Sequence, residues 1–197
     1  TLQDAVGEAR YIQESVLERV EVKQAACAAI DAAMRPDAVA GSSSSGIPAS
    51  AFTGGLSRRD RFLVAHPVNP PHLVPLVELV PAPWTEPAIV PWLRGEMERV
   101  GQSPIEVRGE IEGFVLNRLQ GALLSEAWAL YRDGYASLAD IDRTVSDGLG
   151  LRWSFMGPFE TIDLNAPAGV ADYIARYAPM YWDMQHEQAQ PRRWDKA

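Results

Sequence analysis

The chain has 197 residues, a length that fits one large domain or two small ones of about 100–150 residues each. Hydrophobic residues make up 47% and charged residues 22% of it, a balance typical of a folded globular protein that excludes a wholly disordered chain. The formal net charge of −8 argues against nucleic acid as a partner, because phosphate binding needs clustered Lys and Arg. A phosphorylated cofactor stays possible, since it needs only a few local donors.

Cysteine content and hydrophobicity restrict the class of protein further. The single cysteine, Cys27, excludes an intramolecular disulfide framework and a metal site built from several cysteines. No apolar stretch approaches the ~20 residues that span a bilayer, and the first ten residues lack the layout of a signal peptide. We therefore expect a cytoplasmic protein with neither a metal nor a membrane partner.

The first half of the chain shows alternating helix and strand patterns. Residues 1–10 are typical of the end of an amphipathic helix, 11–16 of a short strand, and 18–35 of a long helix that Pro36 ends. Residues 38–46 predict a short apolar strand that runs into a serine-rich turn. This turn is either a flexible linker or, because ligands bind at strand ends in α/β sheets, part of a site.

A proline-rich segment joins the next two predicted strands. The strands cover 62–65 and 76–80, and the connection between them should be stiff because proline fixes φ and removes backbone donors. A helix over 85–100 and a strand over 104–109 follow. The α/β pattern ends with this strand.

The hydrophobic period then changes to that of helices. A long helix is predicted over 113–134, and nearly everything after it is helix or loop. A boundary near 108–112 therefore separates an α/β part, residues 1–109, from an all-α part, residues 110–197.

His66 and Glu78 are the strongest candidates for chemistry. His66 follows an apolar strand and precedes the stiff loop, a strand-end position at which functional groups gather. Glu78 lies between apolar residues, and a carboxylate is rarely buried without a partner. A His–Glu pair would fix the imidazole tautomer and leave the other ring nitrogen free to take a proton. The alternatives are a structural histidine and a glutamate that points to water.

Asn117 and Ser45 are weaker candidates. Asn117 lies near the start of the long helix among apolar neighbours, and is either a surface amide or a donor to a substrate oxygen. Ser45 lies in the serine-rich turn, and is either a turn former or a hydroxyl donor at a strand end. Each signal is weak alone.

Taken together, these segments resemble the L-3-hydroxyacyl-CoA dehydrogenase family. The resemblance covers almost the whole chain and is carried, in order and spacing, by AHPVNP, LVELV, GFVLNRL and MGPFE. The branch that contains λ-crystallin and L-gulonate 3-dehydrogenase is favoured by SSSSG, HPVNPP and GLGLRWSFMGPFETIDLNAP. The family implies an α/β plus all-α fold: the C-terminal portion of an NAD-binding Rossmann domain in 1–109, then a helical 6-phosphogluconate-dehydrogenase-like C-terminal domain in 110–197.

The resemblance also implies catalytic roles. His66 would be the catalytic base and Glu78 its partner, while Ser45 and Asn117 would hold and polarise the 3-oxygen of the substrate. The implied reaction is reversible NAD-dependent oxidation of the 3-hydroxyl of an L-3-hydroxy acid or 3-hydroxyacyl-CoA. The helical domain would supply a homodimer contact.

The implied cofactor contacts lie near the nicotinamide and the ribose. They are made by Glu18, Lys23, Ser45 and Asn69. Without the resemblance, Lys23 would be interpreted as a solvated helix residue.

The family's GxGxxG turn has no counterpart in this sequence. Residues 54–60, GGLSRRD, have adjacent glycines but neither the spacing nor the strand-to-helix context. We therefore expect that roughly ninety residues of a mononucleotide-binding half lie upstream of Thr1 and that the chain is a fragment. The choice of NAD over NADP rests on the family.

Three other functions remain open at this point. An acyl-CoA enzyme, such as a 3-hydroxybutyryl-CoA dehydrogenase, should need basic residues for the CoA phosphates, so the acidic chain favours a small hydroxy acid. The second is a catalytically silent, crystallin-like structural protein, which would not need His66, Glu78, Ser45 and Asn117 together. The third is an interaction module that catalyses no reaction.

Overall fold

The computed structural model describes residues 1–189 and Arg192. The chain divides into two compact units, Thr1–Leu119 and Gln120–Ala197. The predicted fold class, a Rossmann-like sheet with helices followed by a helical domain, is confirmed. The domain boundary at 109/110 stays a prediction.

The first unit is built around a mixed sheet. Its strands lie side by side in chain order: β1 (Tyr11–Glu14), β2 (Val39–Ser42), β3 (Phe62–Pro67), β4 (Leu76–Pro81) and β5 (Ser103–Glu106). The first three strands are parallel, β4 runs antiparallel to β3, and β5 is parallel to β4. The carboxyl ends of β1, β2 and β3 therefore share one edge with the start of β4.

Helices cover both faces of this sheet. They are α1 (Leu2–Val6), α2 (Val20–Ala33), α3 (Ser50–Thr53) and α4 (Ile89–Arg99), with a 3₁₀ turn at Arg59–Arg61. Because side chains alternate along a strand, Phe62 and Val64 of β3 pack on the α2 side. Leu63 of the same strand packs on the other side with Leu93 of α4. Strands buried on both faces explain the nearly continuous apolar runs in the sequence.

The long helix begins three residues later than predicted. Helix α5 covers Leu116–Arg132. It cannot begin at 113 because Gly113 and Phe114 have φ of +75° and +49°, the left-handed region that an α-helix does not use. Asn117 therefore lies in the first turn of α5.

The second unit consists of helices joined by short loops in its described part. After α5 come α6 (Leu138–Arg143), a π-helical segment (Thr144–Gly150), α7 (Leu151–Trp153), α8 (Pro158–Leu164) and α9 (Gly169–Gln188). Among the residues described, none of the helices combines the length and apolarity that crossing a membrane requires. Several large apolar side chains of α9 are exposed, including Ile174, Met180 and Trp182.

Candidate active site

His66 and Glu78 face each other across β3 and β4. They are register partners in the antiparallel ladder, so their side chains leave the same face of the sheet. The His66 Nδ1 lies 2.8 Å from Glu78 Oε2. His66 is 5% exposed and Glu78 is 0% exposed. The interpretation of Glu78 as a glutamate that points to water is therefore wrong.

The second carboxylate oxygen of Glu78 is held by the start of α5. Oε1 accepts hydrogen bonds from the backbone N–H groups of Val115 at 2.8 Å and Leu116 at 2.9 Å. The first N–H groups of a helix have no partner within the helix, and the helix dipole favours a negative charge there. The positive φ of Phe114 precedes these two amides in the turn that leads into α5.

These contacts decide the ionisation of Glu78. Burial of the carboxyl acts to raise its pKa, but the hydrogen bonds from His66, Leu116 and Val115 outweigh burial and hold the pKa below its usual value. Glu78 is therefore ionised at neutral pH. An ionised carboxylate only accepts hydrogen bonds, so a neutral imidazole must carry its proton on Nδ1.

The other nitrogen of His66 is left for chemistry. Within the residues that the structure describes, Nε2 has no hydrogen-bond partner. The ring of Phe114, itself 0% exposed, lies beside the imidazole with its centroid 6.0 Å away. The pair is thus packed against an apolar ring that limits access of water.

Ser45 and Asn117 also meet. The Asn117 Nδ2 donates to the main-chain oxygen of Ser45. Ser45 is exposed, and in the described part of the chain its hydroxyl has no hydrogen-bond partner. The start of α5 therefore contacts two of the predicted site residues. The backbone amides of Val115 and Leu116 bind Glu78, and the side chain of Asn117 binds Ser45.

The predicted cofactor residues differ in exposure. Asn69 is exposed in the loop after β3, whereas Lys23 is 0% exposed. The interpretation of Lys23 as a solvated helix residue is therefore wrong. Glu18 is exposed. Desolvation by its partial burial acts to raise its pKa, but hydrogen bonds from Ser44 and from backbone amides, with the charge of Lys23, outweigh this and lower it. The contacts of these residues with a cofactor stay predictions.

Two buried side chains near these groups were not assigned to the site from the sequence. Glu14 ends β1, is 4% exposed and lies beside Lys23. It alternates with the buried Ile12, so the argument applied to Glu78 would have found it. Phe114 carries no signal of its role, because its place beside His66 depends on the turn before α5.

Comparison with known proteins places the chain in a family. The family model of the 3-hydroxyacyl-CoA dehydrogenase NAD binding domain matches residues 1–111, and the model of the 3-hydroxyacyl-CoA dehydrogenase C-terminal domain matches residues 113–196. The chain belongs to the 3-hydroxyacyl-CoA dehydrogenase family. The predicted family is thereby confirmed, and NAD is the cofactor of the matched domain.

Relatives and solved structures agree with this assignment. The λ-crystallin of Oryctolagus cuniculus is 47% identical over 90% of this chain and 55% of its own length. An L-carnitine dehydrogenase of Pseudomonas aeruginosa is 42% identical over 91% of this chain and 56% of its own length. The chain thus spans about half the length of the curated relatives it matches.

Solved structures share the fold. The structure of an NAD⁺-dependent 5-formyl-3-hydroxy-2-methylpyridine 4-carboxylic acid 5-dehydrogenase matches 100% of this chain and 61% of its own chain, with a TM-score of 0.86 and 30% sequence identity. A 3-hydroxyacyl-CoA dehydrogenase of Archaeoglobus fulgidus matches 97% of this chain and 64% of its own, with a TM-score of 0.77 and 27% identity.

Proposed function

We propose that the protein oxidises the 3-hydroxyl of an L-3-hydroxy acid or 3-hydroxyacyl-CoA to the 3-oxo product, reversibly and with NAD, with His66 as the general base. The observation that carries this is the 2.8 Å hydrogen bond between His66 Nδ1 and Glu78 Oε2. It leaves Nε2 as the ring atom that accepts the hydroxyl proton, and the Glu78 charge stabilises the imidazolium that forms. In ketone reduction, the same nitrogen returns the proton.

Ser45 and Asn117 complete the proposed machinery. The Ser45 hydroxyl has no partner among the described residues, and the Asn117 amide keeps one hydrogen after its bond to the Ser45 carbonyl. Both groups are thus available to donate to the 3-oxygen of the substrate. Donors placed in advance favour the oxygen as it gains charge during reduction.

The exposed polar groups at the shared sheet edge fit the nicotinamide end of NAD. Glu18, the Ser45 hydroxyl and Asn69 lie in the loops after β1, β2 and β3, the strand-end position at which dinucleotides bind in such sheets. When bound, NAD supplies the acceptor for the C3 hydride. These three residues would hold its nicotinamide and ribose, and Lys23 would contribute from beneath the surface.

A small hydroxy acid is the substrate class we favour. The L-carnitine dehydrogenase relatives act on a hydroxy acid, and the net charge of −8 offers little attraction for the phosphates of CoA. The resemblance to the λ-crystallin branch adds L-gulonate as a candidate. The acyl-CoA enzymes and a catalytically silent protein are the alternatives that the experiment separates.

The test is a substrate panel on the full natural protein, read by NADH absorbance. L-Carnitine, L-gulonate, L-3-hydroxybutyrate and L-3-hydroxybutyryl-CoA are each assayed with NAD and with NADP. We expect turnover with NAD and at least one free hydroxy acid. If L-3-hydroxybutyryl-CoA were turned over fastest, the protein would be an acyl-CoA enzyme. No turnover of any compound with either cofactor would contradict the proposal.

We further propose that the protein forms a homodimer through its helical unit. Contiguous exposed apolar surface marks interaction sites, and helical spacing places Ile174, Tyr177 and Tyr181, exposed at 54%, 39% and 41%, on one face of α9. Sedimentation velocity of the full natural protein should give the mass of a dimer. An Ile174→Glu variant should shift the boundary toward the monomer, whereas a wild-type monomer would contradict the assignment.

A further inference from the structure

Lys23 is a cation enclosed by protein. Its side chain is 1% exposed, and its Nζ lies 3.3 Å from Oε1 of Glu14 and 3.3 Å from Oε2 of Glu18. The ring of Phe52 covers it at 6.0 Å from the ring centroid. An ammonium in such a place is costly unless carboxylates compensate it, so its position is tied to the two glutamates.

Glu14 is the fixed member of this group. Its side chain is 2% exposed, it accepts a hydrogen bond from the Ser42 hydroxyl of β2, and its Oε1 accepts one from the backbone N–H of Val16 at 2.6 Å. Contacts from the loop after β1, from β2 and from α2 thus meet at one carboxylate. Glu18, in contrast, lies in a loop and has a side chain that is 42% exposed.

Glu18 in turn holds the serine loop, residues 44–47. Its Oε1 accepts from the Ser44 hydroxyl and from the next three backbone N–H groups, at 2.8, 2.9, 3.2 and 3.4 Å. One of these three N–H groups belongs to Ser45, whose carbonyl accepts from Asn117. The main chain of Ser45 is therefore held on both sides while its hydroxyl stays free.

We propose that Glu14 is a positioning residue for the serine loop. Glu14 fixes Lys23, Lys23 fixes Glu18, and Glu18 fixes the main chain that presents the Ser45 hydroxyl. Lys23 then acts on the site through Glu18, from inside the protein. The role of the Ser45 hydroxyl toward substrate rests on the proposed function, whereas the order of the loop does not.

A merely structural ion pair makes a different prediction. Asp31 is a buried carboxylate, 7% exposed, of helix α2, which also carries Lys23. Its Oδ1 lies 3.0 Å from Arg58 Nε, and this ion pair does not involve the serine loop. Asp31→Asn is therefore the matched control for Glu14→Gln. Loss of stability alone would speed exchange across the unit in both variants.

The experiment is site-resolved amide hydrogen exchange on the full natural protein. In Glu14→Gln and in Glu18→Gln, the amides of Ser45 and Gly46 should exchange about tenfold faster than in wild type, beyond any change elsewhere in the sheet, because their acceptor is lost or loosened. The Ile47 amide should change less, since it also donates to the Ser44 hydroxyl at 3.0 Å. In Asp31→Asn, the amides of Ser45 and Gly46 should change no more than the rest of the unit. Wild-type exchange at Ser45 and Gly46 in folded Glu14→Gln would overturn the proposal.

A second variant covers the case in which Glu14→Gln does not fold. Glu14→Gln with Lys23→Met replaces the ion pair by groups of similar size, a change that buried pairs tolerate well. The proposal requires the same faster exchange at Ser45 and Gly46 in this double variant, and unchanged protection there would overturn it. Because exchange needs no turnover, failure of the substrate panel would remove the proposed function and leave this result standing.

Discussion

Replacing His66 with Gln is expected to lower kcat by about 10²–10⁴-fold, the usual contribution of a positioned general base. Gln has no group that accepts a proton at neutral pH, so the hydroxyl proton loses its acceptor, while the loops after β1 and β2 keep their contacts. NAD affinity should change little. Steady-state kinetics with the best substrate of the panel and a fluorescence titration of NADH measure the two quantities separately.

The matched control is another histidine. The sequence has three, and His72 is exposed in the proline-rich loop after β3. His72→Gln should retain wild-type kcat. If His66→Gln lost NADH affinity and kcat in parallel, His66 would be a structural residue and the proposed role would be wrong.

Replacing Glu78 with Gln is expected to lower kcat/KM at neutral pH. The variant keeps the shape of the side chain but removes the charge that stabilises the imidazolium formed when His66 accepts the hydroxyl proton. An amide can also donate to Nδ1, which would place the imidazole proton on Nε2 and block the base. Steady-state kinetics measure the loss, and a wild-type kcat/KM in folded Glu78→Gln would exclude the pair.

The same variant should also lose stability in a pH-dependent way. The pKa of Glu78 is lowered in the folded protein, so its ionisation stabilises the fold above the ordinary carboxyl range, and this contribution disappears as pH falls through the lowered pKa. Loss of a charged hydrogen bond costs about 1.5–3 kcal/mol. Urea unfolding should show this deficit at pH 7 and a smaller one in acid. Glu106→Gln, an exposed carboxylate of β5, should show none.

The sequence was informative where burial constrains a polar group. Glu78 lies among apolar residues of a strand, and its need for a partner led to His66 before any register was known. The register confirms that the two residues are opposite each other. Glu14 was within reach of the same argument, since it follows the buried Ile12 at the strand period of two.

Other features depend on contacts that no local pattern encodes. The hydrogen bonds from Val115 and Leu116 to Glu78 join residues 37 and 38 positions apart, and they require the positive φ of Phe114. The sequence predicted a helix through Phe114 because its apolar period runs without interruption. Likewise, the burial of Lys23 follows from carboxylates on β1 and the loop after it, which the helical pattern of α2 does not reveal.

The role of His66 as the base depends most directly on which of its ring nitrogens carries the proton. The imidazole ¹⁵N spectrum of the full natural protein, recorded above the pH at which the ring is charged and assigned with His66→Gln, reports this tautomer. The structure predicts a proton on Nδ1 and a bare Nε2, because ionised Glu78 accepts from Nδ1 at 2.8 Å. A proton on Nε2 instead would show that Glu78 does not orient the ring, and would contradict the assignment of His66 as the base.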